Sequence, residues 1–332
     1  MRQVDRNQFS GCLVGQCLGD ALGFVMEGRP PPVCQRYVEG VLKERRIDAI
    51  QWGQYSDDSQ LARELMISYV TKRVFDQKDF AKRIMLLFHQ ERVVGGGLAT
   101  GRAARRLAMG MAPDEAGEPP PYAGNGAAMR AGPIGLMFYD KPQQLIQASQ
   151  DQSQITHKDK RCWGGAVAVA GAVAEALMTD SIDVKEFCAR LANWTHIFDP
   201  ILATALVNDM SDWLKLEARQ ALDEISGVGV SNDFGGPRWE GIPPFVTPSV
   251  LWSLYSFLRT PEDYWESICT AITGGGDVDT TAAMTGAISG AQVGIENIPN
   301  DWARRITDRG EWEYEDLVKL AAECYDTRNV RP

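Results

Sequence analysis

The segment at residues 11–23, GCLVGQCLGDALG, carries glycine at every fourth position, namely Gly11, Gly15, Gly19 and Gly23. Residues four apart lie on one face of an α-helix, and a glycine inside a helix costs about 1 kcal/mol relative to alanine. A face made of glycine therefore favours a helix whose backbone packs directly against a neighbour. The same spacing recurs later in the chain, at Ala282, Gly286, Gly290 and Gly294. We predict a close central pair of helices, the alternative being coincidence in a chain with 32 glycines.

Apolar residues elsewhere follow the helical period. Leu61, Leu65 and Tyr69 share one face of a predicted helix, and Phe80 and Ile84 share one face of the next. Alternating patterns of four or more residues, which would indicate strands, are scarce. The sequence therefore predicts an all-α fold with a dozen or so helices.

Two long stretches, residues 113–126 and 227–248, are rich in proline and glycine and lack this period. Loops of such length in a compact domain are usually binding loops or disordered segments. Neither stretch has the low complexity of a linker, so we predict one domain over residues 1–332, with both loops at the rim of a cleft. Three aromatic residues of the second loop are interpreted as contributing to target recognition: Phe234, Trp239 and Phe245.

Composition and charge argue against several classes of protein. A net charge of −10 speaks against nucleic acid as a partner, because non-specific binding needs a basic face. The seven cysteines form no CxxC pair and the three histidines are scattered, which indicates reduced thiols in a cytoplasmic protein and no zinc site. Residues 1–10 lack a signal-peptide pattern, and the apolar stretch 164–178 contains Glu175. We therefore predict a core helix there and no membrane partner.

Two acidic clusters lie where loops are predicted to enter helices: residues 56–59, SDDS, and residues 277–280, DVDT. Their carboxylates and hydroxyls suit hard cations such as Mg²⁺, Mn²⁺ or Ca²⁺. The alternative interpretation is a helix cap with acidic residues in the first turn. A close central helix pair would also bring Asp20 and Glu27 near residues 277–280. Clustered carboxylates cannot all stay ionised unaided, so the sequence predicts a metal-dependent hydrolase.

Two glycine-rich segments are further candidates for ligand binding. Residues 95–100, GGGLAT, precede a basic helix and could offer backbone N–H groups to a phosphate, although a simple interhelix turn fits equally well. Residues 122–130, YAGNGAAMR, could wrap a ligand before small residues that begin a helix; an ordinary turn is the alternative. His157 is either a ligand contact or a satisfied histidine between helices. A GxSxG elbow and a Cys–His signature are both absent from the sequence, so nucleophilic acyl chemistry is unsupported.

Four motifs, in order, make the chain resemble the ADP-ribosylglycohydrolase family. Residues 19–23, with Glu27 just after them, are similar to the family's GDAxG motif, and residues 55–59 to its TDDT motif. Residues 124–130 are similar to GNGxxMR, and residues 275–280 to GGDxDT. Three positions depart from the common pattern, but Ser56 and Ser59 keep the hydroxyl of the threonines they replace, and Val278 removes only one possible hydrogen bond beside the ligands.

The resemblance implies a single-domain orthogonal multi-helix bundle with two Mg²⁺ ions, or Mn²⁺, in a cleft. The metal ligands that it implies are Ser56, Asp57, Asp58, Asp277, Asp279 and Thr280. The residues that it implies for ADP-ribose are Gly97, Thr100, Gly124, Asn125, Gly126, Met129 and His157. Asp58 or Asp279 would activate water, and Glu27 would assist or gate the site; the sequence does not rank these three.

The activity implied is removal of ADP-ribose, as product, from an ADP-ribosylated protein substrate. We expect cleavage of the N-glycosidic bond of ADP-ribosyl-arginine, because the motifs are contiguous, the chain is compact, and its acidic charge would suit a guanidinium leaving group. The alternatives are the O-glycoside of ADP-ribosyl-serine, a small ADP-ribosyl metabolite, and a non-catalytic protein that binds ADP-ribose. The sequence leaves the target, the choice between Mg²⁺ and Mn²⁺, and the oligomeric state open.

Overall fold

Helices dominate the part of the chain that the computed structural model describes, residues 2–230 and 239–329. The helices in those ranges are α1 (Arg6–Phe24), α2 (Pro31–Tyr37), α3 (Asp57–Lys72), α4 (Gln77–His89), α5 (Leu98–Ala108), α6 (Gly132–Phe138), α7 (Pro142–Gln154), α8 (Lys160–Met178), α9 (Val184–Thr195), α10 (Pro200–Asn208), α11 (Met210–Trp213), α12 (Ala218–Ile225), α13 (Val246–Arg259), α14 (Tyr264–Thr273), α15 (Val278–Val293), α16 (Asn300–Ala303) and α17 (Tyr314–Asn329). A π-helical turn, Val38–Leu42, and a 3₁₀ turn, Ile295–Asn297, join some of them. The all-α, single-domain prediction is confirmed.

The described helices are more numerous than the dozen or so predicted. The difference comes from short elements such as α11 and α16, each of four residues, which are too short to show a helical period. The strands described are β1 (Thr307–Asp308) and β2 (Trp312–Glu313), an antiparallel pair in which Thr307 lies opposite Glu313.

The glycine faces of α1 and α15 pack against each other, as predicted. The order of the contacts is antiparallel, because Gly11 lies against Gly290 whereas Gly23 lies against Asp279. A methyl group added at Gly15 would lie 2.5 Å from the carbonyl oxygen of Gly286. The glycines therefore allow the two backbones to touch, and this contact fixes the end of α1 beside the first turn of α15.

The helices around this pair bury their apolar faces against it. Tyr264 of α14 donates a hydrogen bond of 2.7 Å to the carbonyl oxygen of Gly15. Residues 164–177 of α8 are all buried, and Glu175 is ion-paired with Arg190 at 2.9 Å, which confirms the predicted core helix. Within residues 2–230 and 239–329, no helix combines the length and the apolar character needed to cross a membrane. All seven cysteines lie in these ranges, buried and free of disulfides.

The two predicted loops differ from the structure at their ends. The first is irregular from the end of α5 to Gly132, so the helix expected near Ala127 begins five residues later. The second ends at α13, whose first residues, Val246–Pro248, are helical. Phe245 is fully buried, with the Arg161 guanidinium 5.1 Å from its ring, so the prediction that it contacts a target is wrong. Phe234 lies outside the described residues.

Candidate active site

The first acidic cluster is positioned by a buried carboxylate of α1. Asp20 accepts hydrogen bonds from the backbone N–H groups of Ser56 (2.8 Å) and Ser59 (3.0 Å), which binds the first turn of α3 to α1. Burial raises the pKa of Asp20 to about 7. The Ser56 hydroxyl oxygen accepts from the Asp58 N–H at 3.2 Å, so the helix-cap interpretation also holds. This capped turn presents Asp57 and Asp58.

Asp57 is bound by the glycine turn that precedes α5. Its carboxylate accepts from the N–H of Gly96 at 2.9 Å and, at the longer distance of 3.5 Å, from that of Gly97. Gly95 and Gly96 have φ values of 86° and 59°, which a side-chain-bearing residue rarely adopts. The N–H groups of Gly96 and Gly97 therefore hold Asp57. All six residues of this turn, 95–100, which the sequence offered as a candidate for phosphate binding, line the cavity.

Gln60 fixes the chain that leads into this turn. Its side-chain NH₂ donates to the carbonyl oxygen of Arg92 (3.0 Å) and to Asp308 (2.9 Å), and its side-chain oxygen accepts from the Val94 N–H (2.9 Å). Asp308 also accepts from the buried Arg63 at 2.7 Å. Gln60 and Arg63 thus tie α3 to the β1–β2 hairpin, and Gln60 holds the glycine turn against Asp57.

The second acidic cluster begins α15. Asn125 donates from its side-chain NH₂ to the carboxylate of Asp277 at 2.5 Å, and the Asp277 N–H donates to the carbonyl oxygen of Ile242 at 2.9 Å. Glu27, Asp277 and Asp279 each place one carboxylate oxygen within 4.8 Å of the other two. The structure therefore brings together the two acidic clusters and Glu27, which lie far apart in the sequence.

These carboxylates lie in an environment that disfavours their charged forms. Burial, and next the neighbouring charge of Asp279, raise the pKa of Asp58 well above its usual range; burial, and next Asp277, do the same for Asp279. Burial likewise raises the pKa of Asp57 to about 6 and that of Asp277 to about 7. One oxygen of Asp58 (Oδ2) and one of Asp279 (Oδ1) are buried without a hydrogen-bond partner among the described residues. Buried oxygens of this kind fit a divalent cation, which would offset the repulsion and satisfy both atoms.

A cavity of about 760 Å³ opens over this cluster, within the usual range for ligand pockets. Most of the residues predicted from the sequence line it: Glu27, Asp57, Asp58, Gly97, Thr100, Asn125, Gly126, Met129, His157, Asp277, Asp279 and Thr280. Ser56 and Gly124 do not line it. Ser56 serves as the cap of α3, and Gly124 lies behind the Tyr122 ring, in a bridge with Phe245. The two acidic clusters and Glu27 form what we call the acidic end of the cavity, and the glycine-asparagine loop adjoins this end through the bond from Asn125 to Asp277. His157 lies against the same loop farther along, beside Gly126.

His157 is held in one tautomer by a buried chain of hydrogen bonds. The fully buried Arg130 donates to the Thr156 hydroxyl oxygen at 2.8 Å, and that oxygen lies 2.8 Å from Nδ1 of His157. The guanidinium can only donate, and we assign the hydroxyl as donor to Nδ1 because this arrangement pairs both the hydroxyl proton and the ring nitrogen. The proton of the neutral ring is then on Nε2, beside Gly126. Burial, and next the charge of Arg130, lower the pKa of His157 to about 3, which keeps the ring neutral.

Trp239, interpreted from the sequence as contributing to target recognition, and Tyr122, the first residue of the segment 122–130, also line the cavity. The cavity residues that were not predicted individually are Arg102, Glu118, the run at 119–121 and Pro244. Arg106 donates to Glu118 at 2.7 Å, and the Glu118 N–H donates to the carbonyl oxygen of Thr156, which fixes this loop beside His157. The signal available was EPPPY at residues 118–122, because consecutive prolines stiffen an extended backbone in an otherwise irregular loop.

Known proteins resemble the chain over nearly its whole length. A family model described as ADP-ribosylglycohydrolase matches residues 1–331. ADP-ribosylhydrolase ARH3 of Xenopus tropicalis is 27% identical over 351 residues, covering 97% of each chain. ADP-ribosylarginine hydrolase Tri1 of Serratia proteamaculans is 24% identical over 305 residues, covering 90% of this chain and 75% of its own. A solved ADP-ribosylglycohydrolase-related protein complex contains a chain of 26% identity and TM-score 0.72, with 97% of this chain and 98% of that one covered.

Proposed function

The chain belongs to the ADP-ribosylglycohydrolase family, and from this premise we propose that it hydrolyses the glycosidic bond between ADP-ribose and a protein side chain. The observation that carries the proposal is the composition of the cavity lining. Five carboxylates, those of Glu27, Asp57, Asp58, Asp277 and Asp279, line it, and a neutral loop with His157 lines it as well. Such a lining supplies charged groups for bond cleavage and, next to them, neutral groups for the binding of a nucleotide.

Two Mg²⁺ ions are the proposed cofactors, with Mn²⁺ as the alternative. The residues that would hold them are Asp57, Asp58, Asp277, Asp279 and Thr280, with Glu27 within reach of the second cluster. When bound, the cations would offset the charge of the carboxylates and of the pyrophosphate and make a bound water more acidic. Ser56, the remaining predicted ligand, would act through the conformation of the α3 turn.

The protein groups divide the remaining work. Asn125 orients Asp277 by its 2.5 Å hydrogen bond, and Gly96 orients Asp57. Asp58 or Asp279 is the proposed acceptor of the proton of the attacking water, through a carboxylate oxygen that the cations leave free. The anionic cluster would also stabilise an oxocarbenium-like transition state at the anomeric carbon. Glu27, the exposed member, is proposed to assist or to gate the acidic end.

The proposed linkage is the N-glycoside of arginine. A leaving guanidinium is a cation, and the acidic end of the cavity, with the exposed Glu27 beside Asp277 and Asp279, complements it. The O-glycoside of serine is the second candidate, because the ARH3 relative (27% identical) is more similar than the relative named for arginine (24%). A small ADP-ribosyl metabolite and ADP-ribose binding without catalysis are the remaining alternatives.

Release of labelled ADP-ribose from two modified proteins tests the proposal. One protein carries ADP-ribosyl-arginine and the other ADP-ribosyl-serine, and each is incubated with Mg²⁺ and with EDTA. We expect release from the arginine-linked protein that EDTA abolishes. The variant Asp279→Asn should be inactive, whereas Asp212→Asn, an exposed change on α11 outside the cavity, should keep full activity.

Other outcomes separate the alternatives. Release from the serine-linked protein alone would mean that the same site cleaves an O-glycosidic bond. Activity on ADP-ribosyl metabolites but on neither protein would favour the small substrate. Binding of ADP-ribose, measured by calorimetry, without release from any substrate would contradict the enzyme and favour a binding protein.

A further inference from the structure

A second hollow lies beside the cavity, between α4 and α5. We name it the α4–α5 groove, and its volume is about 550 Å³. The residues that line it but not the cavity are Met85, Phe88, His89, Glu91, Gly101, Ala104, Arg105 and Ala108, so one carboxylate lies among them. The groove shares Gly96, Gly97, Leu98 and Arg102 with the cavity. Since the N–H groups of Gly96 and Gly97 hold Asp57, the groove joins the cavity at its acidic end.

An exposed stripe along α5 and the residue after it borders this groove. Leu98, Arg102 and Arg105 of α5 and Met109, which directly follows the helix, are spaced four, three and four residues apart, so they share one face. Leu98, Arg102 and Arg105 also line the groove, and the apolar side chains of the stripe reach solvent, since Leu98 is 69% exposed and Met109 is 77% exposed. At about 1.5 Å per residue the stripe is roughly 17 Å long. Its pattern is therefore apolar at both ends and basic at the centre.

The basic centre is not neutralised by the protein itself. Arg105 is exposed and has no ion pair with any residue in the described ranges, although the whole chain carries a net charge of −10. The contact of Arg102 with Glu118 is 3.7 Å long, and Glu118 is already bound by Arg106 at 2.7 Å. The stripe therefore offers positive charge that complements an acidic partner.

We propose that the α4–α5 groove binds the polypeptide of the ADP-ribosylated substrate next to its modified side chain, and that this segment is acidic at its centre and apolar at its ends. The inference rests on the proposed function. A side chain whose glycosidic bond lies at the acidic end of the cavity leaves its main chain at the mouth of that end. The groove begins there, and its stripe is complementary to such a segment in both charge and apolar pattern.

Three substrates and three variants test this docking. The substrates are an ADP-ribosylated peptide of about 12 residues with acidic and apolar flanks, the same peptide with basic flanks, and free ADP-ribosyl-arginine, or their serine-linked equivalents if that linkage is the one cleaved. The variants are Arg105→Glu, Met109→Asp and, as a control with the same charge change as Arg105→Glu, Lys185→Glu at an exposed site on α9.

We expect Arg105→Glu to lower kcat/KM on the acidic peptide about tenfold through KM, and to raise it on the basic peptide. Met109→Asp should lower kcat/KM about fivefold on the acidic peptide. Free ADP-ribosyl-arginine should be hydrolysed within about twofold of the wild-type rate by both variants, since neither residue lines the cavity. Lys185→Glu should leave all three rates unchanged.

Equal losses on the peptide and on free ADP-ribosyl-arginine would overturn the proposal, because they would place the effect in the cavity. Equal kcat/KM of the wild type on the acidic and the basic peptide would also overturn the proposal. A dimer in sedimentation velocity that Met109→Asp dissociates would assign the groove to a second copy of the chain instead. Failure of the proposed function is distinct from these results, since the wild type would then hydrolyse none of the three substrates.

Discussion

At the scale of single residues, the site depends on groups whose hydrogen bonds the protein leaves incomplete. Asp58 and Asp279 keep buried oxygens without a partner among the described residues, whereas Asp20, Asp57 and Asp277 are bound by N–H or NH₂ groups. An unsatisfied buried carboxylate is costly, so its persistence in a packed site is explained by a ligand that completes it. Under the proposed function, the hydrogen-bonded acids orient the site and Asp58 and Asp279 take part in its chemistry.

Replacing one unsatisfied carboxylate distinguishes its role in binding a metal ion from the destabilisation that its burial causes. We expect Asp58→Asn to lower the rate of ADP-ribose release about 10²- to 10³-fold. In EDTA, however, the variant should have a higher Tm than the wild type, because an acid whose ionised form is disfavoured by burial is replaced by a neutral amide. Mg²⁺ should raise the Tm of the wild type and leave that of the variant nearly unchanged. Thermal unfolding with and without Mg²⁺ measures this, and a variant with normal Mg²⁺ stabilisation would contradict the role of Asp58 as a ligand.

The hydroxyl of Thr156 is predicted to set the tautomer of His157. Thr156→Val leaves both the Arg130 donor and Nδ1 of His157 without their partner, so ADP-ribose should bind about five- to tenfold more weakly. Thr156→Ser keeps the hydroxyl and should bind normally. The direct measurement is ¹⁵N NMR of the imidazole rings, since the chain has three histidines to resolve. A proton on Nδ1 in the wild type would refute this account.

At the scale of elements, the contact of α1 with α15 brings the acidic groups together. Each helix carries one part of the site just at or beyond its end, Glu27 after α1 and Asp277 before α15. Backbone contact between antiparallel helices leaves no side-chain layer that could adjust the spacing. The relative positions of these carboxylates are thus set by the helices themselves.

The close approach predicts an unequal response to two similar substitutions. Gly15→Ala should lower the free energy of unfolding by about 2 kcal/mol or more, because the new methyl group meets backbone that cannot rotate away. Gly40→Ala should be neutral or stabilise by up to about 1 kcal/mol, since its Cβ would have no atom within 4 Å. Urea denaturation of both variants measures the difference. Equal stabilities would show that α1 and α15 can separate without cost.

At the scale of the whole molecule, stability without metal should depend on pH with a definite sign. Burial raises the pKa of Asp20 and Asp277 to about 7 and of Asp57 to about 6, against an ordinary 3.8. Between pH 3.8 and about 7 the folded protein therefore binds more protons than the unfolded chain. The stability that these groups contribute is fully present below their pKa in the unfolded chain. It is lost as the pH rises through their pKa in the folded protein.

The expected measurement is the Tm in EDTA and in Mg²⁺ from about pH 5 to about pH 8. In EDTA the Tm should fall as the pH rises, because these acids must then lose their protons in a buried site. Asp277→Asn should make the slope of Tm against pH less steep. Mg²⁺ replaces the bound protons, so the gain in Tm that it gives should grow with pH. A gain independent of pH would mean that the cation does not bind the buried carboxylates. The cytoplasmic location remains a prediction at this scale.

Much of the fold and of the site followed from local patterns. The glycine spacing in residues 11–23 and the helical periods predicted the central pair and the all-α class, because both depend on residues close in sequence. The acidic clusters and Glu27 were found because their chemistry is visible in the residue types. Glu118 and Pro244 were not predicted individually, since their place at the cavity depends on how irregular loops fold back, which no period encodes. Arg102 was missed because its place depends on how α5 packs beside the cavity.

The sequence by itself determined that two helices meet along glycine and that oxygen ligands stand beside their ends. A repeat of small residues on one helix face favours close packing against a neighbouring backbone. Carboxylates are oxygen ligands whatever the fold, so their type can be recognised from the sequence. Only the tertiary structure decided that the Gly96 and Gly97 N–H groups bind Asp57, that Phe245 is buried under Arg161, and that α5 leaves a basic stripe beside the acidic end. These facts depend on distances between segments remote in the chain, and such distances exist only once the helices have packed.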